Sequence, residues 1–555
     1  IGDEWVNMCS VSAHLSCSRM GFTHGWSCSG VILDRRAGLV LSHASIFFPF
    51  LKNKKGNFLR AEENMILAHE FPPGLTIRIE CPEEPMTQGC LGDKVLAARA
   101  GLGLVPMSKH AGTRTERRQH RGELLMLVSC PEFQKAFSRL FDKSEGWVFS
   151  SEEEKGEFGA MQKDLEYLHW FAVLKLQSPL TCMSPRTIFT PATRLHKGSV
   201  VFACGSPFGS FYPDIFLNSI SKGVLSNVAG EQNVVLLTDA RCLPGSEGGG
   251  IFSFEDSVLG LVGIIVAPLC WKTNEWVGLT LACSVSLILE NLVQASRRFS
   301  IDVNNQLMQL MPVGNCVTNV RRTLQPVEQL IPSVVLVDSG QVWGSGVLLK
   351  ANIVLTCRHV LRGASKVSVK IRPPTSEKYR TITGRVVFAS SESSPYDIAV
   401  LELEGLSGAI PEPVLASQYN IGEEVFVVGF GALGESCGPS VTSGILSAVI
   451  CAEEAPVMLQ TTCAVHGGSS GGPLFAEGSG ELLGIVASNT RDNSTGATYP
   501  HLNFSIPVTV LHDALGRYIE YGDVRAFQEL NKVKRNVSDV WRLQRKPEKV
   551  LPSKL

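Results

Sequence analysis

Ser470 is the residue best placed to do chemistry in this chain. It stands in Gly467-Gly468-Ser469-Ser470-Gly471-Gly472-Pro473-Leu474-Phe475, a run of small residues leading into apolar ones. That composition suits neither a helix nor a strand. It suits a tight, glycine-permitted loop running into a buried strand. Such a loop can present one hydroxyl and turn backbone N–H groups inward around it. The same residues also read as a plain Gly/Ser turn or linker. An unassisted hydroxyl is a weak nucleophile at neutral pH, so a base and an orienting carboxylate must accompany it for the first reading to hold. His359 follows the apolar run Ile353-Val354-Leu355-Thr356, and Asp397 opens the run Ile398-Ala399-Val400-Leu401. Singly, His359 reads equally well as a core or loop histidine, and Asp397 as a strand-edge turn residue. With Ser470 they stand in the order His, Asp, Ser, and the set fits acyl transfer.

The elements that must position these residues are short strands, and they occur twice. Ser29-Gly30-Val31-Ile32-Leu33 and Leu39-Val40-Leu41-Ser42 match Ser345-Gly346-Val347-Leu348-Leu349 and Ile353-Val354-Leu355-Thr356. Phe171 to Leu176 matches Ile398 to Leu403, Val201 to Gly205 matches Val425 to Gly429, and Gly223 to Ser226 matches Gly444 to Ser447. Gly245 to Phe252 matches Gly468 to Phe475. The matches are collinear, so the chain is read as two copies of one all-β domain. Further strand-like runs lie at Leu124–Val128, Val234–Leu237 and Leu259–Ala267, and Leu287–Val293 is apolar and helical. The expected organisation is a first domain at 1–300, a linker at 301–327, a second domain at 328–515, and a C-terminal helix with an extended tail at 516–555. In the first copy Ser45 takes the place of the His, Trp170 that of the Asp and Glu247 that of the Ser. His43 lies two positions early and on a strand end points elsewhere. The first copy is therefore expected to be inactive, with docking, self-association or regulation as its open roles.

On the Leu-Thr-x-x-His segment, Asp-Ile-Ala-Val-Leu, Gly-x-Ser-Gly-Gly-Pro and Leu502-Asn503-Phe504-Ser505-Ile506-Pro507, residues 330–510 resemble the trypsin-like, chymotrypsin-fold serine endopeptidases, especially the HtrA/Deg branch. The resemblance implies two tandem double β-barrel domains, the first degenerate. It also implies His359 as general base, Asp397 as its orienter and Ser470 as the acyl-forming nucleophile. Gly468 and Ser470 would supply the oxyanion hole with their N–H groups. Ala464, Val465, Ser488 and Asn489 would form the substrate pocket. Ser469 stands where digestive relatives carry an Asp that pairs with a new N-terminal amine, so that activation switch is absent. Ala464 stands where a cationic-specific pocket carries its Asp. A basic P1 side chain would bury an unpaired charge there, and a small uncharged one such as Cys or Ala is expected. His466, close by, reads as a loop residue. No metal or cofactor is implied.

The chain carries 51 Lys and Arg against 52 Asp and Glu, which argues against nucleic acid or an anionic membrane as the main partner. Hydrophobic residues at 44% and charged at 19% describe a globular protein, and no uncharged apolar run reaches the length of a membrane span. The 16 cysteines form no CxxC pair and sit mostly in apolar segments, which reads as free thiols in a reducing compartment. The sequence ends Ser553-Lys554-Leu555, a receptor-read peroxisomal address. Together with the protease motifs, that ending resembles peroxisomal trypsin-like proteases that trim leaders from imported matrix enzymes. The expected partners are the import receptor, leader-bearing precursors and a second copy of the chain. Residues 81–122, rich in Gly, Arg and His, read as a solvated loop and as a self-processing region. Quality-control proteolysis and a non-catalytic binding scaffold are the alternative functions. The accessory peptide-binding module that quality-control relatives usually carry is not expected in the residues after Val510.

Overall fold

The computed structural model describes residues 8–15, 24–52, 64–82, 117–141, 146–149, 167–178, 180, 187–208, 216–255, 258–273, 275–298, 326–373, 378–406, 410–491, 498–532 and 534–542. Residues 83–116, most of the expected linker, and Ser553, Lys554 and Leu555 lie outside the described residues, as does the side chain of Asn489.

Among the described residues the chain is all-β at its centre, with four barrels. In the second half the strands Val334–Asp338, Trp343–Leu348, Ile353–Thr356, Ala399–Leu403, Arg380–Ala389 and Lys366–Ile371 close in that order. A second ring follows from Glu424–Gly429, Ser440–Ala452, Ala455–Thr461, Thr498–Pro507, Leu482–Arg491 and Pro473–Ala476. The first half repeats both orders. Met8–Leu15, His24–Asp34, Leu39–His43, Trp170–Leu176, Arg117–Ser129 and Leu75–Pro82 form one ring, with Met65–Leu67 added at its edge. Val200–Gly205, Ser219–Ala229, Val235–Thr238, Thr280–Ser284, Val258–Ala267 and Gly250–Glu255 form the other. Among the described residues, closure leaves these rings with no long unpaired edge, which is how short apolar strands avoid association.

Residues Arg117–Arg121, expected in a loop, belong to a strand. Their polar side chains hid it. Exposure alternates from Gln119 to Glu123, the period of a strand with one wet face, and Arg117 and Arg118 pair with Pro82 and Cys81. The C-terminal segment is not one helix but three pieces, His512–Tyr521, a 3-10 stretch Val524–Asn531, and Arg535–Trp541. Gly522 ends the first in a left-handed conformation, and the Asp523 carboxylate caps the next by accepting from Arg525 N at 3.1 Å. This tail buttresses the loop before Asp397. Phe527 stacks on Phe388, the Asn531 amide oxygen accepts from Ser391 N at 2.7 Å, and Ser394 Oγ donates to Leu530 O at 2.6 Å. Among the described residues no helix is long and apolar enough to cross a membrane.

The two halves meet through their second barrels. Ala432 and Leu433 of the second half are buried in the first half's apolar cluster, with Trp147, Val277 and Leu279. Polar bonds ring this contact. Asp239 accepts from Val224 N at 2.6 Å on its own side and from Ser443 N and Oγ, at 2.6 and 3.0 Å, across the interface. Lys197 Nζ donates to Cys437 O and Pro439 O at 2.5 and 2.8 Å. A Leu side chain buried there contributes about 2 kcal/mol, so Leu433 and its neighbours make this a fixed interface.

Candidate active site

The strands Ile353–Thr356 and Ala399–Leu403 are antiparallel neighbours with Thr356 opposite Ala399. That register puts the residues just past Thr356 and just before Ala399 at one end of the barrel. His359 lies there on the helical turn Arg358–Leu361, and Asp397 faces it. His359 Nδ1 is hydrogen-bonded to one carboxylate oxygen of Asp397, and the His359 backbone N–H donates to the other at 3.0 Å. Arg358 Nε lies 3.6 Å from the same group. Burial raises the Asp397 pKa. Hydrogen bonding and charge from His359, with the Arg358 guanidinium, outweigh it and hold the carboxyl below the usual carboxylate range. An ionised carboxylate accepting at Nδ1 fixes the proton there and leaves Nε2 as the basic nitrogen.

Ser470 is carried to the same end. Ser345 N donates to Ser470 O at 2.8 Å, and Ser345 Oγ donates to Gly468 O at 2.8 Å while accepting from Phe430 N at 2.9 Å. Gly471 has φ +84°, and a Cβ there would lie 2.5 Å from Thr356 Oγ1 and 3.0 Å from Cys357 N. Ser470 therefore sits against the backbone that leads into His359. Gly468 has φ +92°, and its Cβ would run into the Trp343 ring at 2.3 Å. The N–H groups of Ser469, Gly471 and Gly472 all have backbone acceptors. Those of Gly468 and Ser470 have none among the described residues, so this loop offers two donors side by side. Cys357, His359 and Asp397 place one potential metal-ligand atom each within 4.8 Å of one another. Cys357 Sγ, however, donates to Val486 O at 3.2 Å, and burial with the nearby Asp397 charge pushes the thiol well up, which disfavours the thiolate a metal needs.

The first copy forms the same loop with different side chains. Ser29 N donates to Glu247 O, and Ser29 Oγ donates to Gly245 O, both at 2.8 Å. Gly245 and Gly248 have φ +91° and +82°. Its register puts Ser45, Trp170 and Glu247 at the places of His359, Asp397 and Ser470. One feature was not legible from sequence: Glu247 Oε2 accepts from Gly245 N at 2.7 Å. The carboxylate at the serine position caps the loop's own donor. His43 is buried against Phe171, where its Nε2 reaches Leu168 O at 3.3 Å and burial pushes its pKa down to about 4.

Of the residues expected in a pocket, Ala464 and Val465 are buried in the segment leading to the Ser470 loop, Val465 N donating to Pro500 O at 2.9 Å. Thr442 Oγ1 donates to Ala464 O at 2.8 Å, and Asn503 Nδ2 to Cys463 O at 2.8 Å. Ser488 stands exposed on the strand Leu482–Arg491. His466, expected as a loop residue, lies in a loop and is buried there. Its Nδ1 accepts from Ala432 N at 2.9 Å, and burial pushes its pKa down to about 4.

Residues 344–485 match the trypsin-like peptidase domain family. Over 100% of both chains, the sequence is 45% identical to the peroxisomal leader peptide-processing protease of Mus musculus. The chain belongs to the peroxisomal leader peptide-processing protease family. The Homo sapiens member is 46% identical over 96% of this chain and 95% of its own length. Protease Do-like 1 of Arabidopsis thaliana chloroplasts is 31% identical over 34% of this chain and 40% of its own. As a member of that family the chain is a peroxisomal serine protease.

Proposed function

We propose that this chain is an endopeptidase that trims targeting leaders from imported matrix enzymes, with His359, Asp397 and Ser470 as its triad. The observation that carries the reading is the contrast between the two copies. The second copy sets a serine on a loop with two open N–H donors and holds a histidine on a carboxylate at the same end of its barrel; the first caps its loop donor with Glu247.

In this mechanism His359 Nε2 takes the Ser470 hydroxyl proton as Oγ attacks the scissile carbonyl. The oxyanion is held by the N–H groups of Gly468 and Ser470, each such donor being worth about 10²-fold or more in rate. Asp397 stabilises the imidazolium, which then protonates the leaving amine. Water, deprotonated by the same nitrogen, releases the acyl group. Ala464 and Val465 supply no charge, so a small uncharged P1 residue such as Cys or Ala fits and Arg or Lys does not.

The test is incubation with a matrix precursor bearing an N-terminal targeting leader, followed by mass spectrometry of the new terminus. One cut after a small uncharged residue is expected from wild type and none from Ser470→Ala. An intact precursor, or cleavage after Arg or Lys, would contradict the reading.

A further inference from the structure

The inactive loop is locked from within, because Glu247 bonds Gly245 N. The active loop needs the matching donor free, and Ser469 provides no carboxylate to pair with an amine. Its own half holds it through Ser345, Val486 and His466. A further chain of bonds runs from the loop back to the first half.

Lys272 belongs to the first half's hairpin Trp271–Trp276, and its Nζ lies 4.9 Å from the centre of the Trp147 ring. Across the interface it donates to Ala432 O at 2.8 Å. Ala432 N–H donates to His466 Nδ1 at 2.9 Å. His466 O accepts from Ser469 N at 3.0 Å, and Ser469 lies between Gly468 and Ser470, whose N–H groups have no acceptor among the described residues. Contacts along this path are close. A Cβ on Gly431 would lie 2.0 Å from the His466 ring, and one on Gly468 would lie 2.8 Å from Gly431 O. Just past this hairpin, a Cβ on Gly278 would stand 3.3 Å from Ala464 Cβ, and Trp276 of the hairpin packs edge-on against His501 at 5.5 Å. In the inactive copy the place of His466 is taken by Leu243, half exposed, whose carbonyl still accepts from Ser246 N. The loop can therefore form without the histidine where a carboxylate locks it.

We propose that the first half is a built-in brace for catalysis, in which Lys272 and His466 are positioning residues that hold the Gly468–Ser470 donors through Ala432. This rests on the assignment of Ser470 as nucleophile. A donor displaced by about 1 Å costs on the order of 10²-fold in turnover while leaving substrate binding nearly untouched.

The experiment is steady-state hydrolysis of a peptide ester with Cys or Ala at P1 by full-length protein. Wild type, Lys272→Met, Lys272→Arg, His466→Leu, His466→Asn and Ser470→Ala are compared well below each melting temperature. Lys272→Met and His466→Leu are expected to lower kcat about tenfold or more with KM within about threefold. Lys272→Arg, which keeps a donor, and His466→Asn, whose Oδ1 can accept from Ala432 N–H, are expected to recover most of it. Values of kcat within twofold of wild type for both Lys272→Met and His466→Leu would overturn the brace, as would a loss confined to KM. Beside an inactive Ser470→Ala, that outcome removes the brace alone. Activity surviving in Ser470→Ala removes the nucleophile and the brace together.

Discussion

Asp397 accepts from both the ring and the backbone N–H of His359, so one carboxylate fixes tautomer and orientation together. An amide at that position turns an NH₂ toward Nδ1 and favours the tautomer whose Nε2 carries the proton. Asp397→Asn is therefore expected to reduce kcat by about 10⁴-fold with little change in KM, measured on a peptide substrate. A loss under tenfold would mean His359 is not the base. Gly468 is constrained on two counts, its φ of +92° and the Trp343 ring against it. Gly468→Ala should shift the loop and remove one donor, lowering kcat on the order of 10²-fold. Near-normal turnover in that variant would place the oxyanion elsewhere. His359 and Asp397 were legible as candidates because each sits at the edge of a recognisable apolar run, and Gly468 because it lies in the glycine-rich run around Ser470. Glu247 was legible as a substitution but not as a cap, since its bond to Gly245 depends on a loop shape that no local pattern states.

Between neighbouring elements, the shared clamp is Ser29 in one copy and Ser345 in the other, each tying the strand that carries it to a glycine loop. Both serines stood in the duplicated segments, and their recurrence at one position was the signal that could have given them a role. Removing Ser345 Oγ leaves Phe430 N and Gly468 O without their partner, at a cost of about 1–3 kcal/mol. Ser345→Ala should lower both the melting temperature and kcat, whereas Ser29→Ala should lower only the melting temperature. Equal effects on kcat would mean that the clamp does not reach the chemistry. The strands themselves were mostly evident from apolar runs and the repeat. Arg117–Arg121 was not, because a strand with one wet face and basic side chains looks like a loop. The three-piece C-terminus was not, because an apolar 3.6 period survives short breaks such as Gly522. The Lys272–Ala432–His466 path had no sequence signal at all, joining residues far apart in the chain through one backbone carbonyl.

Across the molecule, burial leaves His43, His169, His466 and His501 with pKa values pushed down to about 4. Unfolding returns each to about 6.5, so the unfolded chain binds more protons between those values. Their contribution to stability is complete above pH 6.5 and is lost as pH falls towards 4. Asp239 and Glu477, pushed up to about 6 and about 7 chiefly by burial, act in the opposite sense. Four groups against two leave a net loss on acidification. The melting temperature is expected to fall by roughly 5 °C or more between pH 7 and pH 4.5, and a rise would contradict the buried, neutral histidines. The two halves share one design and differ in a few side chains at the site, so the decisive question is which half reacts. It is answered by treating folded full-length protein with a fluorophosphonate under reducing conditions and mapping the adduct by peptide mass spectrometry. A single adduct on Ser470, absent from Ser470→Ala and with nothing on the first half, is expected. A folded wild-type protein that stays unlabelled, or labelling that persists in Ser470→Ala, would contradict the assignment.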